Sequence, residues 1–140
     1  MFNTWLSVGG VMSLGAALLH LAIIIGGPNW YRYFGAGEEV ARMAAEGRWR
    51  PAIITGLVAI GLALCGLYAL SGAGLVPSLP LLDIVLCVVA GAYTLRGLAY
   101  PVLKVMNSVA STPLFLWSSI ICLIVGVVHL IGLAQIWKVI

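Results

Sequence analysis

The chain has 140 residues, of which 63% are hydrophobic and 8% are charged, and its mean hydropathy is +1.16. A soluble domain carries about 25% charged residues, so this composition excludes a water-exposed globular surface and predicts an integral membrane protein. The net charge of +3 does not indicate a nucleic-acid partner, because the basic residues lie beside apolar segments, where membrane topology accounts for them.

The apolar residues form four segments, and each has roughly the 20 residues that cross a hydrocarbon core as a helix. They predict an all-α, four-helix membrane bundle in a single domain over residues 1–140, with spans at about residues 4–25, 51–71, 81–100 and 114–137. No positive segment precedes the first span and no small-residue cleavage site follows it, so we expect a retained helix and not a signal peptide. Pro101 is expected to disturb the end of the third span.

Between the first two spans, residues 36–46 predict a short amphipathic helix. Glu38 lies four residues before Arg42, and Glu46 lies four residues before Arg50, which is the spacing of stabilising ion pairs on a helix. Two interpretations stay open for this segment. It is either an interfacial connector that lies in the headgroup plane, or a lid or partner surface over the mouth of the bundle.

Tryptophans and charges predict how the spans lie in a membrane. Near the predicted span ends, where indole rings meet the headgroup region, lie Trp5, Trp30, Trp49, Trp117 and Trp137. One side of the membrane has only the basic residue Lys138, whereas the connections on the other side carry Arg32, Arg42, Arg48, Arg50 and Lys104. The positive-inside rule therefore predicts a multi-pass protein of a bacterial inner membrane with both termini outside.

Small residues recur at helical spacing on three of the spans and predict the faces that pack. These faces carry Gly9, Ser13, Ala16 and His20 in the first span, Gly61, Cys65, Tyr68 and Gly72 in the second, and Ser118, Cys122, Gly126 and His129 in the fourth. We expect them to turn inward or toward another subunit, so a homo-oligomer or a larger membrane complex stays open. Cys65, Cys87 and Cys122 lack metal-ligand spacing and are interpreted as small core residues.

Arg96 is the basic residue that the spans must accommodate, since a guanidinium stays charged. Helical rise puts it at the depth of His20 and Thr55, with Tyr93 one turn deeper. These four residues form a candidate cytoplasmic-half site for an anionic ligand, with Glu38 or Glu39 as the counter-ion. The alternative is that Arg96 extends to the headgroups without any ligand.

A second candidate site lies toward the outside. Asp83, Tyr68 and His129 are candidates for handling a proton there, although Asp83 also suits a helix start at the water boundary. His20 and His129 should lie about 12 Å apart along the membrane normal, which argues against a metal ion or a haem shared by the pair. We expect no metal site. The cofactor is unknown, and both a bound lipid and a haem held between two protomers stay open.

The sequence contains no nucleophile, zinc-hydrolase or phosphate-cradling motif. The expected function is therefore the binding of a lipophilic or small anionic ligand, or a role as a subunit of a larger membrane assembly. One alternative is a small membrane enzyme acting on a lipid or quinone-like substrate, with a histidine as acid or base. Another is an oligomeric transporter or channel, because four helices of this size enclose little space.

Overall fold

The structure is a computed structural model that describes residues 2–106 and 113–138. The described chain is all-helical and contains α1 (Thr4–Gly26), α2 (Pro28–Tyr33), α3 (Glu38–Ala45), α4 (Arg50–Gly72), α5 (Leu82–Val105) and α6 (Pro113–Trp137). Four of these helices, α1, α4, α5 and α6, are long and apolar enough to cross a membrane. The prediction of an all-helical chain with four segments of spanning length is confirmed.

The end of α5 differs from the prediction. Pro101 lies inside the helix, which continues to Val105 and does not end near Tyr100. A proline has no N–H, so it removes one hydrogen bond from the helix. Apolar helices tolerate that loss where a neighbour packs around the break, and here α6 packs closely on α5 one turn earlier, at Gly97, where a Cβ would lie 2.7 Å from the Cα of Leu123.

The segment after α1 contains a helix that the sequence pattern does not predict. Gly27 adopts φ 73°, a left-handed conformation that glycine takes without steric cost, and Pro28 then starts α2 with its φ already suited to a helix. The six residues of α2 are too few to reveal a helical period. The next helix, α3, lies within the predicted limits of 36–46.

Small residues bring the long helices together. Gly10 of α1 and Gly66 of α4 face each other, since a Cβ on either would lie 3.0 Å from the carbonyl oxygen of the other. On α6, a Cβ at Gly126 would lie 2.7 Å from the hydroxyl oxygen of Thr94 on α5. By such contacts α1 packs on α4 and α6, and α5 packs on α6, as expected where helices associate through close packing.

The packed face of α4 includes three of the four predicted residues but not Gly61. Cys65 and Tyr68 pack against buried apolar clusters, and a Cβ at Gly72 would lie 2.8 Å from the Cδ1 of Leu86. A Cβ at Gly61 would meet no described atom within 4 Å, whereas Gly66 is buried against α1. Five residues turn a helix by about 140° from its starting face, so Gly61 points away when Gly66 points inward. On α6, Gly126 and His129 are buried as predicted, but His20 on α1 is only half-buried.

The two short helices pack on the ends of α1 and α4. A small apolar cluster joins them: Ile23 of α1, Tyr31 of α2 and Ala41 of α3 are all buried there. At the opposite end of the molecule, the loop that joins α4 to α5 is fixed by Ser71. Its hydroxyl donates to the carbonyl of Pro77 and accepts from the backbone N–H of Leu79, each at 3.0 Å.

Candidate ligand site

Arg96 extends from α5 to α6. Its Nη1 donates to the hydroxyl of Ser119 at 3.0 Å, and its Nη2 donates to the hydroxyl of Ser118 at 3.1 Å. Its Cζ lies 4.8 Å from the centre of the Phe115 ring, in a cation–π contact. These groups replace part of the water around the guanidinium, but they carry no negative charge.

No described carboxylate lies within ion-pair distance of Arg96. The chain contains four acidic side chains, and three of them bind arginines in or beside the short helices: Glu38 binds Arg32 at 2.9 Å, Glu39 binds Arg42 at 2.7 Å and Glu46 binds Arg48 at 2.9 Å. The fourth, Asp83, lies in the first turn of α5, about 20 Å along the helix from Arg96. The predicted pairing of Arg96 with Glu38 or Glu39 is therefore not formed. Both glutamates pair instead with arginines that are close to them in the chain.

The ion pair between Arg32 and Glu38 is exposed at the surface of the α2–α3 segment. Hydrogen bonds from the Arg32 guanidinium lower the pKa of the Glu38 carboxyl, and the same contact raises the pKa of Arg32. Both groups are therefore ionised at neutral pH. Their charges offset each other locally and leave the charge of Arg96 unchanged.

A groove of about 560 Å³ opens beside Arg96, between the last turns of α5 and the first turns of α6. It is lined by Gly97, Tyr100, Pro101, Lys104, Val105, Leu116, Ser119, Ile120 and Leu123. Its volume falls within the range of about 300–1,000 Å³ that small-molecule sites occupy. Ser119 lines the groove and also accepts a hydrogen bond from Arg96. The guanidinium therefore lies directly behind the Ser119 side chain, as seen from the groove.

Aromatic rings connect the two cations at this groove. The Nζ of Lys104 lies 5.8 Å from the centre of the Tyr100 ring, and that ring lies 5.7 Å from the ring of Phe115. The Phe115 ring in turn contacts the guanidinium of Arg96. The groove therefore has one cation in its lining, Lys104, and a second, Arg96, behind Ser119, while most of the lining is apolar or aromatic. This arrangement suits an anion attached to an apolar body.

A buried polar cluster lies nearer the middle of the helices, away from the groove. The hydroxyl of Tyr93 donates to the hydroxyl of Ser13 at 2.7 Å, and the Tyr93 ring stacks on the ring of His129 at 5.3 Å. The Nδ1 of His129 lies 2.8 Å from the carbonyl oxygen of Val125, while its Nε2 has no hydrogen-bond partner among the described residues. A Cβ on Gly9 would lie 2.7 Å from the His129 ring. The cluster joins α1, α5 and α6.

The remaining residues of the first predicted site do not gather around Arg96. His20 bonds to the carbonyl of Ala16 in its own helix at 2.7 Å, and Thr55 makes no side-chain hydrogen bond within the described chain. Tyr93 belongs to the buried cluster instead. Equal depth therefore did not imply contact, because these side chains lie on helix faces that point in different directions.

The residues of the second predicted site are also far apart in the structure. Tyr68 donates to the carbonyl of Pro80 at 3.2 Å, and Asp83 is exposed at the start of α5. His129 stacks on Tyr93, ten residues and about 15 Å along α5 from Asp83. The proton-handling pair of Asp83 and His129 is thus not formed. The two histidines are also distant from each other, since His129 lies against Gly9 and His20 lies about 16 Å along α1 from Gly9.

Within the described ranges, no three or more His, Cys, Asp and Glu side chains are arranged to hold a metal ion. Cys65 and Cys122 are half-buried, whereas Cys87 is exposed and is not a core residue. The reason is that α5 buries Leu86, Val89 and Ala90, so Cys87 lies on another face of the helix.

The partners of Arg96 are the functional residues that the sequence analysis missed, and a simple signal indicates them. The connection between α5 and α6 is centred on position 109, and Arg96 lies 13 residues before it whereas Ser119 lies 10 residues after it. In an antiparallel helix pair such positions differ by about three residues, or about 4.5 Å along the axis. An arginine side chain spans that distance, so serines one turn nearer the connection are a readable pattern for its partners.

Comparison with protein-family models, with curated proteins and with solved structures finds no match for this chain. A function must therefore be argued from its own residues. The most informative of them are Arg96, Lys104 and Ser119 at the groove.

Proposed function

We propose that this protein is a membrane protein that binds an anionic, lipophilic ligand in the groove between α5 and α6. The observation that carries this proposal is that Arg96 is held by two hydroxyls and a ring, with no acidic side chain of the described residues in contact. A charge in apolar surroundings is costly unless an opposite charge compensates it. A ligand that brings one negative charge into the groove supplies that compensation.

The surroundings of the groove favour a ligand that arrives from lipid. Val102, Val105 and Ile120, at or beside the groove, are 52%, 86% and 38% exposed. In a membrane these side chains would face acyl chains, so an apolar tail could remain in contact with hydrocarbon while its acidic group reaches Ser119 and Lys104. A fully water-soluble anion would gain nothing from the apolar part of this lining.

For the arrangement in the membrane, we propose a bundle of the four long helices with both chain termini outside and the α2–α3 segment on the cytoplasmic face. The charge distribution supports this orientation. Of the seven basic residues, four lie in the α2–α3 segment or between it and the start of α4, and two, Arg96 and Lys104, lie toward the end of α5 on the same side of the bundle. Lys138 follows the end of α6, on the opposite side. The positive-inside rule assigns the basic end to the cytoplasm.

The α2–α3 segment then lies in the headgroup plane as an interfacial connector. Trp30, Tyr33 and Phe34 are exposed there, next to the surface ion pairs of Arg32 and Arg42. Exposed aromatic rings beside paired charges are typical of surfaces at the headgroup level. This segment packs on α1 and α4, so it leaves the groove between α5 and α6 uncovered.

Native mass spectrometry of the protein, purified gently from its membrane, tests the binding proposal. We expect a co-purifying species of acidic, lipid-like composition on the wild-type protein and its loss from Arg96→Gln. Arg50→Gln removes an exposed cation near the same end of the molecule and serves as the matched control. Equal retention of the species by the two variants would contradict the proposal, and Arg96→Lys, which keeps the charge, separates ligand loss from misfolding.

A further inference from the structure

We infer that the acidic group of this ligand is a carboxylate and that the ligand is a single-chain, fatty-acid-like molecule, not a two-chain phospholipid. The inference rests on the proposed function and narrows it. It follows from how many hydrogen-bond donors the groove offers and where they converge.

The register of α5 against α6 brings the donors to one level. Gly97 lies against Leu123, so in an antiparallel pair Lys104, seven residues later, lies opposite Leu116, seven residues earlier. Ser119 is then only about 4.5 Å along the axis from the level of Lys104, a distance that a lysine side chain covers. The guanidinium of Arg96 reaches the same level, since it bonds to Ser118 and Ser119.

The hydroxyl of Ser119 has a particular role at this level. Its oxygen accepts the hydrogen bond from Arg96, so its own O–H proton is directed elsewhere and is polarised by the guanidinium. An anion in the groove can accept that proton in a hydrogen bond and take a second one from the ammonium of Lys104. Two donors match the two oxygens of a carboxylate, and charge-assisted bonds of this kind are the strong ones.

A phospholipid headgroup would be satisfied poorly in the same place. Its phosphodiester, ester and alcohol oxygens need several further partners, whereas the rest of the lining is glycine, proline, valine, leucine and isoleucine apart from Tyr100. Polar groups that are buried without partners oppose binding. A single tail, in contrast, matches the apolar side chains Leu116, Ile120 and Leu123.

Carbon-13 NMR of carboxyl-labelled decanoate tests this inference on the full chain in phosphatidylcholine nanodiscs. The resonance of a protein-bound carboxylate is distinguishable from that of decanoate dissolved in the bilayer, and empty nanodiscs give the reference. We expect saturable binding that decan-1-ol does not displace. Ser119→Ala and Arg96→Gln should each weaken decanoate binding about tenfold or more. Ser118→Ala keeps the hydroxyl that lines the groove, so it should weaken binding less than Ser119→Ala.

Competition with decyl phosphate and phosphatidylglycerol separates the inference from the proposed function. If either displaces decanoate more effectively than unlabelled decanoate does, and does so in an Arg96-dependent way, the carboxylate assignment is overturned while the binding function stands. If no anionic amphiphile binds, or if binding is unchanged in Arg96→Gln and Arg96→Lys, both are overturned. Ser118→Ala and Ser119→Ala acting equally would refute the role of the groove hydroxyl.

Discussion

The contact between α5 and α6 at Gly97 forms the inner end of the groove, and replacing this glycine by alanine tests it. The new Cβ would lie 2.6 Å from the backbone nitrogen of Leu123 and 2.7 Å from its Cα. Carbon atoms prefer about 3.5–4.0 Å, so the helices must separate locally by about 1 Å. Backbone atoms cannot rotate away as a flexible side chain does, and overpacking of this kind costs about 1–3 kcal/mol.

Gly91 on the same helix provides the matched control. A Cβ there would meet no described atom within 4 Å, so Gly91→Ala should only gain helix propensity, by up to about 1 kcal/mol. The two substitutions should therefore differ by about 1–4 kcal/mol in the free energy of unfolding, measured by titrating micelle-embedded protein with a denaturing detergent. Equal stability of Gly97→Ala and Gly91→Ala would refute the close packing of α5 on α6.

Three further outcomes are expected. Tyr93→Phe removes the hydrogen bond to Ser13 and should destabilise the protein by about 0.6–1.5 kcal/mol in the same detergent assay; an unchanged stability would show that the bond contributes nothing. Because Arg32 lowers the pKa of Glu38, the stabilisation from this pair is complete above about pH 4.5 and is lost as pH falls through the lowered pKa. The protection of α2 and α3 against hydrogen exchange, relative to the intrinsic amide exchange rate at each pH, should fall in that acidic range in the wild type, and this fall should be smaller in Glu38→Gln. Reporter fusions at either chain terminus should report the outside and an insertion near Gly35 the cytoplasm; opposite sides for the two termini would exclude four crossings.

The four long helices could be predicted from the sequence because their signal is composition over a length that matches a bilayer. Helix limits were least accurate where proline occurs, since a proline can stand at the start of a helix or inside one. Pro28 starts α2, whereas Pro101 lies within α5 and is exposed at the groove. The residue type alone does not indicate which of these positions a proline takes.

The site was predicted less well because depth is only one of three coordinates. His20 and Arg96 were assigned to one level, but helix rise says nothing about which faces meet. The hydrogen bond of the Asn3 side chain to the carbonyl of Gly132, at 2.8 Å, shows the same limit. It joins the beginning of α1 to α6 across nearly the whole length of the chain, and no sequence spacing indicates it.

Arg96 is conspicuous in the sequence because a cation is rare in an apolar segment. Its partners were not identified. Carboxylates attract attention as counter-ions, whereas Ser118 and Ser119 bind it through uncharged hydroxyls. That none of the four acidic side chains contacts Arg96 depends on their positions in three dimensions, where Glu38, Glu39 and Glu46 bind nearby arginines.

Photolabelling with a diazirine placed on the tail of a long-chain carboxylate tests the central claim most directly, because it reports where the ligand lies. With the protein in its native membrane, labelling that excess decanoate removes should map to Ile120 and Leu123 in the groove. Ile121 and Ile124 of the same helix are about half exposed, at 53% and 50%, but do not line the groove, and their labelling should resist competition. Competition that is equal at the four positions, or absent at all of them, would contradict a ligand site between α5 and α6.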